Sequence, residues 1–188
     1  MSSNKTFKFT LILKNALASI DELEDSLYEV GCDDALIHCR NSSVYLEFDR
    51  VSTSLEDAVI SAIKDIQRAS IIVDIVGVSP ENLVTESEIA RRLNKSRQII
   101  SLWTNGDRRD SFPSPIMRIS EKSPLWSWSE VTKWLFDKKI ITDIEIVDNA
   151  LFIANINGAL EERDKKTRDN RHRLLEKISF NDNQARHV

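Results

Sequence analysis

The chain is poor in the residues that build several common kinds of site. Only four of its 188 residues are glycine: Gly31, Gly77, Gly106 and Gly158. No two lie close enough to form a phosphate-cradling loop, which excludes P-loop and dinucleotide-binding readings. Its two cysteines, Cys32 and Cys39, have only His38 beside them. That is neither a disulfide framework nor a paired zinc spacing, so both are expected to be small buried side chains. No apolar run approaches the roughly 20 residues that cross a bilayer, and the start MSSNKTFKF lacks the apolar stretch of a signal peptide. The expectation is a cytoplasmic protein without membrane association. No Ser/His/Asp or Cys/His arrangement is readable. The acidic clusters Asp21, Glu22, Glu24, Asp25 and Asp33, Asp34 fit a solvated helix face and the turn after it. No catalytic residue, metal or cofactor is expected.

What is present is apolar content enough for a core, 41%, with 30% charged residues. The length suits one to three small modules. The net charge of −4 is unevenly spread. Residues 1–83 hold 7 Lys or Arg against 14 Asp or Glu, residues 84–125 hold 8 against 5, and residues 126–188 hold 11 of each. The middle segment is the basic one.

In residues 1–79, Phe7, Phe9, Leu11 and Leu13 recur every second residue, as in a strand with one buried face. Ser19 with Glu22 makes a capping box, and Ile20, Leu23, Leu27 and Val30 share a helical face before Gly31. Ala35, Ile37, Cys39 and then Val44, Leu46, Phe48 alternate around the turn residues Arg40 to Ser43, which predicts a β-hairpin. Thr53 with Glu56 predicts a second cap, followed by the stripe Leu55, Val59, Ala62, Ile63 and Ile66. Ile71–Val78 predicts a last strand. The order β-α-β-β-α-β matches the ferredoxin-like split unit. Ser79 to Asn82 is a turn-rich boundary.

Residues 80–140 follow another pattern. Thr85 and Glu88 box a helix with Ile89, Ala90 and Leu93 on its apolar face, and Asn94 suits a left-handed helix end. Ser96 caps a second helix, 97–104, whose Ile100 and Trp103 face inward. Asn105-Gly106 ends it. Residues 116–119 and 125–128 are expected to pair as a small hairpin, and Ser127 with Glu130 caps a helix carrying Val131, Trp134 and Leu135. Helix, tight turn, helix, hairpin, helix is the order of a winged helix-turn-helix. Trp103, Trp126, Trp128 and Trp134 are expected in its core rather than as a stacking platform for bases.

Residues 83–135 resemble the DNA-binding headpiece of the MerR, AlpA and excisionase-like regulators. The likeness rests on Ala90, Ser96-Arg97-Gln98, Trp103, Phe112 to Pro115 and Trp128 to Val131. The whole chain also resembles an uncharacterised bacterial group of DNA-binding proteins with this headpiece behind an N-terminal domain. The residues themselves suit the role. With Ile100 and Trp103 inward, Arg97, Gln98 and Ser101 point outward near the helix start; Arg can bond guanine and Gln adenine in the major groove. Leu102 falls near the same outward face. Lys95, Ser96, Asn105, Arg108, Arg109 and, at the wing tip, Lys122 are placed for the DNA backbone.

Residues 141–180 predict a C-terminal helix, capped by Thr142 and Glu145. It carries a heptad-like stripe, Ile144, Val147, Leu151 and Ala154, as a candidate dimer seam or a face folded back on the chain. The pairs Glu161/Lys165, Glu162/Lys166, Asp164/Arg168 and Asp169/Arg173 support it, and Gly158 marks a point for a kink. Residues 181–188 are expected to be a disordered tail. The expected protein is therefore α+β: a ferredoxin-like domain, a winged helix-turn-helix and a helical segment. Its expected activity is that of a dimeric transcriptional regulator on double-stranded DNA. The alternative is an antitoxin-like or adaptor protein whose acidic N-terminal domain binds a protein partner.

Overall fold

The structure, a computed structural model, describes residues 4–16, 19–40, 43–105 and 111–182. It is a mixed α+β protein. Two compact units make up the chain: one gathers residues 8–50, 61–78 and 155–182, the other 4–7, 51–60 and 79–154.

Up to residue 79 the order is β1 (Lys5–Lys14), α1 (Ile20–Glu29), β2 (Ala35–Arg40), β3 (Ser43–Ser52), α2 (Leu55–Arg68) and β4 (Asp74–Ser79). The strands form one sheet in the order β2-β3-β1-β4. β2 and β3 pair antiparallel, from Ala35 opposite Phe48 to Arg40 opposite Ser43. One face of the sheet is dry, because every second residue of β1, Phe7 to Leu13, and Leu46 and Phe48 of β3 are buried. The rings of Phe9 and Phe48 stack at 5.1 Å. The helices bury matching stripes, Leu23 and Leu27 on α1 and Leu55, Val59, Ala62, Ile63 and Ile66 on α2. Ile20, expected in the α1 stripe, is more than half exposed.

The Ser19–Glu22 box forms in both directions, and Gly31 beyond the end of α1 takes φ +85°, a value glycine adopts without strain. The α2 cap lies one residue later than expected. Ser54, not Thr53, accepts the N–H of the third helical residue, Asp57, at 3.0 Å, and both hydroxyls donate to the Asp57 carboxylate. The last strand also starts later, at Asp74 rather than Ile71. β1 stops at Lys14, and Asn15 Nδ2 donates to Asp74 Oδ2 at 2.5 Å, so residues 71–73 lie past the end of the strand they would pair with. Of the cysteines, Cys32 is buried as expected, whereas Cys39 is exposed near the end of the edge strand β2.

No local sequence pattern marks Arg50. Its side chain is buried at the end of β3 and bonds Asp34 through both Nε (2.8 Å) and Nη2 (3.0 Å), Asp65 at 2.7 Å and Ser61 at 3.1 Å. Burial opposes the charge, but the bonds from both carboxylates outweigh it and hold the guanidinium firmly protonated. Asp34 therefore serves the core, not only a solvated turn.

Residues 83–141 build a separate small core. β5 (Leu83–Val84), α3 (Glu86–Arg92), α4 (Arg97–Asn105), β6 (Trp126–Ser127) and α5 (Trp128–Asp137) follow in order. Val84, Ile89, Ala90, Ile100, Phe112, Trp126, Val131 and Leu135 are its buried members, with Trp103, Trp128 and Trp134 packed against them. Trp126 is thus a core residue, and the other three tryptophans are partly buried against that core. The expected hairpin shrinks to a single bridge, Met117 opposite Leu125, and β6 pairs with β5 instead. Pro113, Pro115 and Pro124 lack the N–H that a longer ladder needs. Asn82, read only as a boundary residue, ties this pairing to α5: its side-chain oxygen accepts the Ser129 N–H at 2.8 Å and its Nδ2 donates to Ser127 Oγ at 3.2 Å.

The C-terminal segment is two helices, α6 (Ile144–Glu162) and α7 (Lys165–Asp182). Asp143, not Thr142, caps α6 by accepting the Glu145 N–H at 3.0 Å. Gly158 stays inside α6, and the break falls at 163–164. There Asp164 accepts the Thr167 N–H at 2.7 Å, starting a new helix rather than continuing the old one. Glu161/Lys165 and Glu162/Lys166 straddle that break and are not helical neighbours; Glu161 pairs with Arg171 instead. Asn181 and Asp182, expected in the tail, are the last two residues of α7, and residues 183–188 lie outside the described residues. The inward residues of α6 are Ala150, Ile153 and Leu160. Between Ile153 and Leu160, Asn157 accepts the Val78 N–H at 2.7 Å and donates to the Val78 carbonyl at 2.9 Å. β4 is an edge strand, so this amide occupies one position of its open edge.

Candidate nucleic-acid interface

The geometry begins with the turn between α3 and α4. Thr85 and Glu88 form the reciprocal box that starts α3. At its end Asn94 takes φ +49°, and the Lys95 N–H returns to the Ala90 carbonyl at 2.9 Å. This left-handed closure reverses the chain within a few residues. Ser96 Oγ then accepts the Ile99 N–H at 3.4 Å, a loose cap for α4. Ile100 is fully buried, and Trp103 sits among Phe112 and Trp134, with ring centroids 6.3 Å and 5.6 Å away. Two inward residues three apart fix the rotation of α4 about its axis.

That rotation decides what α4 shows to solvent. Lys95, Ser96, Arg97, Gln98 and Asn105 are exposed, and Ser101 is half-buried. The Ser101 hydroxyl accepts from Asn105 Nδ2 at 2.8 Å, so these two side chains already hold one another. Ile99 and Leu102 are also exposed; the sequence pattern places Leu102 outward and leaves Ile99 unassigned. The outer face of α4 is thus amide, hydroxyl and apolar, with Arg97 on its flank.

Arg97 borders a cleft of about 180 Å³ that it shares with Thr85, Ser87, Lys122, Ser123 and Trp126. The fold brings Arg97 and Lys122 to this one cleft from positions 25 apart in the chain. Glu86 lines it too, with its carboxylate accepting from the Thr104 hydroxyl at 2.6 Å and lying 3.9 Å from Arg97 Nε. No local pattern marks Glu86, because its part in the cleft depends on how α3 meets α4. Glu86 steadies Arg97 and also subtracts from the positive potential there. Arg108 and Arg109, expected at the DNA backbone, lie outside the described residues.

Of the expected seam in α6, Ile144 and Leu151 are about half exposed, while Val147 and Ala154 are partly covered. The face buried against the rest of the chain is the neighbouring one. Among the described residues no cluster of three or more His, Cys, Asp or Glu is gathered as a metal site, and no helix is long and apolar enough to cross a membrane. No family model matches the chain, and neither curated proteins nor solved structures match it.

Proposed function

We propose that residues 80–140 are a winged helix-turn-helix of the MerR, AlpA and excisionase kind, and that the chain is a transcriptional regulator reading double-stranded DNA through α4. The observation that carries this is the division of α4: a dry inner edge of Ile100 and Trp103, and an open outer edge with Gln98, Ser101 and Leu102 beside Arg97. A helix so seated presents its N-terminal residues to a major groove. Arg97 would bond guanine, Gln98 adenine, and Leu102 and Ile99 supply apolar contact for thymine methyls. Lys95, Ser96, Asn105 and Lys122 would hold the phosphates and set the register.

The sheet order β2-β3-β1-β4 with the chain order β-α-β-β-α-β supports a ferredoxin-like N-terminal domain. One α4 offers few base contacts, so the reading includes two copies on half-sites one or more helical turns apart. Selection of bound fragments from random duplexes by the purified protein is the experiment. An enriched inverted repeat is expected; recovery of no common sequence would contradict base reading by α4.

A further inference from the structure

α7 is a long helix with little to cover it. Its 18 residues span about 27 Å, and Leu174, Leu175 and Ile178 are each more than half exposed. Lys166, Arg173 and Lys177, spaced seven and four apart, form a ridge beside that apolar stripe. Across the helix there are six Lys or Arg against three Asp or Glu. Such a helix suits an apolar groove with an acidic rim.

The same chain carries one. A groove of about 330 Å³ lies between α1 and the edge strand β2, lined by Ile20, Tyr28 and Leu36, with Leu27 and Cys32 behind them and Glu24 and Asp33 at its sides. Ile20, Tyr28 and Leu36 are each more than half exposed. From Ile20 to Asp34 the chain has seven Asp or Glu and no Lys or Arg.

We propose that α7 of one copy docks in the α1–β2 groove of a second copy, and that the exchange is reciprocal. Leu174, Leu175 and Ile178 cover Ile20, Tyr28 and Leu36, while the Lys166, Arg173, Lys177 ridge meets the acidic rim. Charge complementarity selects this occupant, because two α7 helices, or two grooves, would meet with like charge. A two-fold axis makes both junctions in one dimer, which doubles the buried area. The association supplies the two copies that a pair of half-sites needs, yet its test uses no DNA, so either proposal can fail alone.

Sedimentation equilibrium of the full chain without DNA is the test. A dimer is expected, weakened roughly tenfold or more by raising salt from 0.05 to 0.5 M. Leu174→Asp with Ile178→Asp should give monomer, as should Leu36→Asp; all three residues are exposed, so folding is retained and is checked by circular dichroism. Mixing the two monomeric proteins should restore association through the one junction left intact. Glu24→Lys with Asp25→Lys should weaken the dimer, and adding Arg173→Glu with Lys177→Glu should recover it. A monomeric wild type, dimers that survive both sets of apolar variants, or no recovery on mixing or charge exchange would overturn the proposal.

Discussion

Arg50 shows how one side chain can commit several segments at once. Removing its guanidinium leaves Asp34 and Asp65 at a partly buried site without their shared cation, and breaking a buried pair in this way typically costs about 3–5 kcal/mol. Arg50→Ala should lower the urea midpoint accordingly. Arg50→Met, which keeps volume, should recover only the packing part. An unchanged midpoint for Arg50→Ala would show that the network contributes nothing net. Cys32 lies in the same neighbourhood: burial pushes its thiol up, against an opposing pull from Arg50. A maleimide should therefore label Cys39 alone in the folded protein and reach Cys32 only in denaturant, as mass spectrometry of the adducts would show. In the candidate interface the informative residue is Glu86. Glu86→Gln removes a negative charge 3.9 Å from Arg97, and should raise DNA affinity severalfold at low salt. Lower affinity would mean that Glu86 acts chiefly by positioning Arg97.

At the scale of elements, the helix starts link stability to pH. The Glu22 carboxyl is held below its ordinary range by the Ser19 backbone N–H and hydroxyl, Asp57 by the Thr53 and Ser54 hydroxyls, and Asp164 by Thr167. A carboxyl lower in the folded chain binds fewer protons there than in the unfolded chain. Its contribution is therefore complete above the unfolded value of about 4 and fades as pH falls through the lower folded value. Asp57→Asn should flatten the acid limb of the melting-temperature profile below about pH 4.5 and leave its slope above pH 6 unchanged. Asn157→Leu should free the Val78 N–H and carbonyl from their partner, at about 1–3 kcal/mol, and speed hydrogen exchange at Val78. Caps were legible in the sequence wherever one candidate stood alone, as at Ser19, Thr85 and Ser127. They slipped by a residue where Thr53 and Ser54, or Thr142 and Asp143, compete as neighbours, because either side chain reaches the same N–H groups. The β5–β6 pairing was hidden, since two-residue strands carry no period. Arg50 and Asn157 were hidden for another reason: their partners lie 11 to 79 positions away and come together only on folding.

At the scale of the molecule, the α+β organisation was legible because strand and helix periods are local. The α4 face was legible for the same reason: Ile100 and Trp103 alone set its rotation. The cleft shared by Arg97, Lys122 and Glu86 was not, because it depends on how the 118–124 turn meets α3. Base readout by α4 is decided by fluorescence anisotropy on the best selected duplex at several salt concentrations. Arg97→Ala with Gln98→Ala should lose about 2–6 kcal/mol on that site. On scrambled duplex it should lose only the small share due to one phosphate-range charge, with nearly the wild-type salt slope. Equal losses on both duplexes, or none on either, would contradict base readout by this helix.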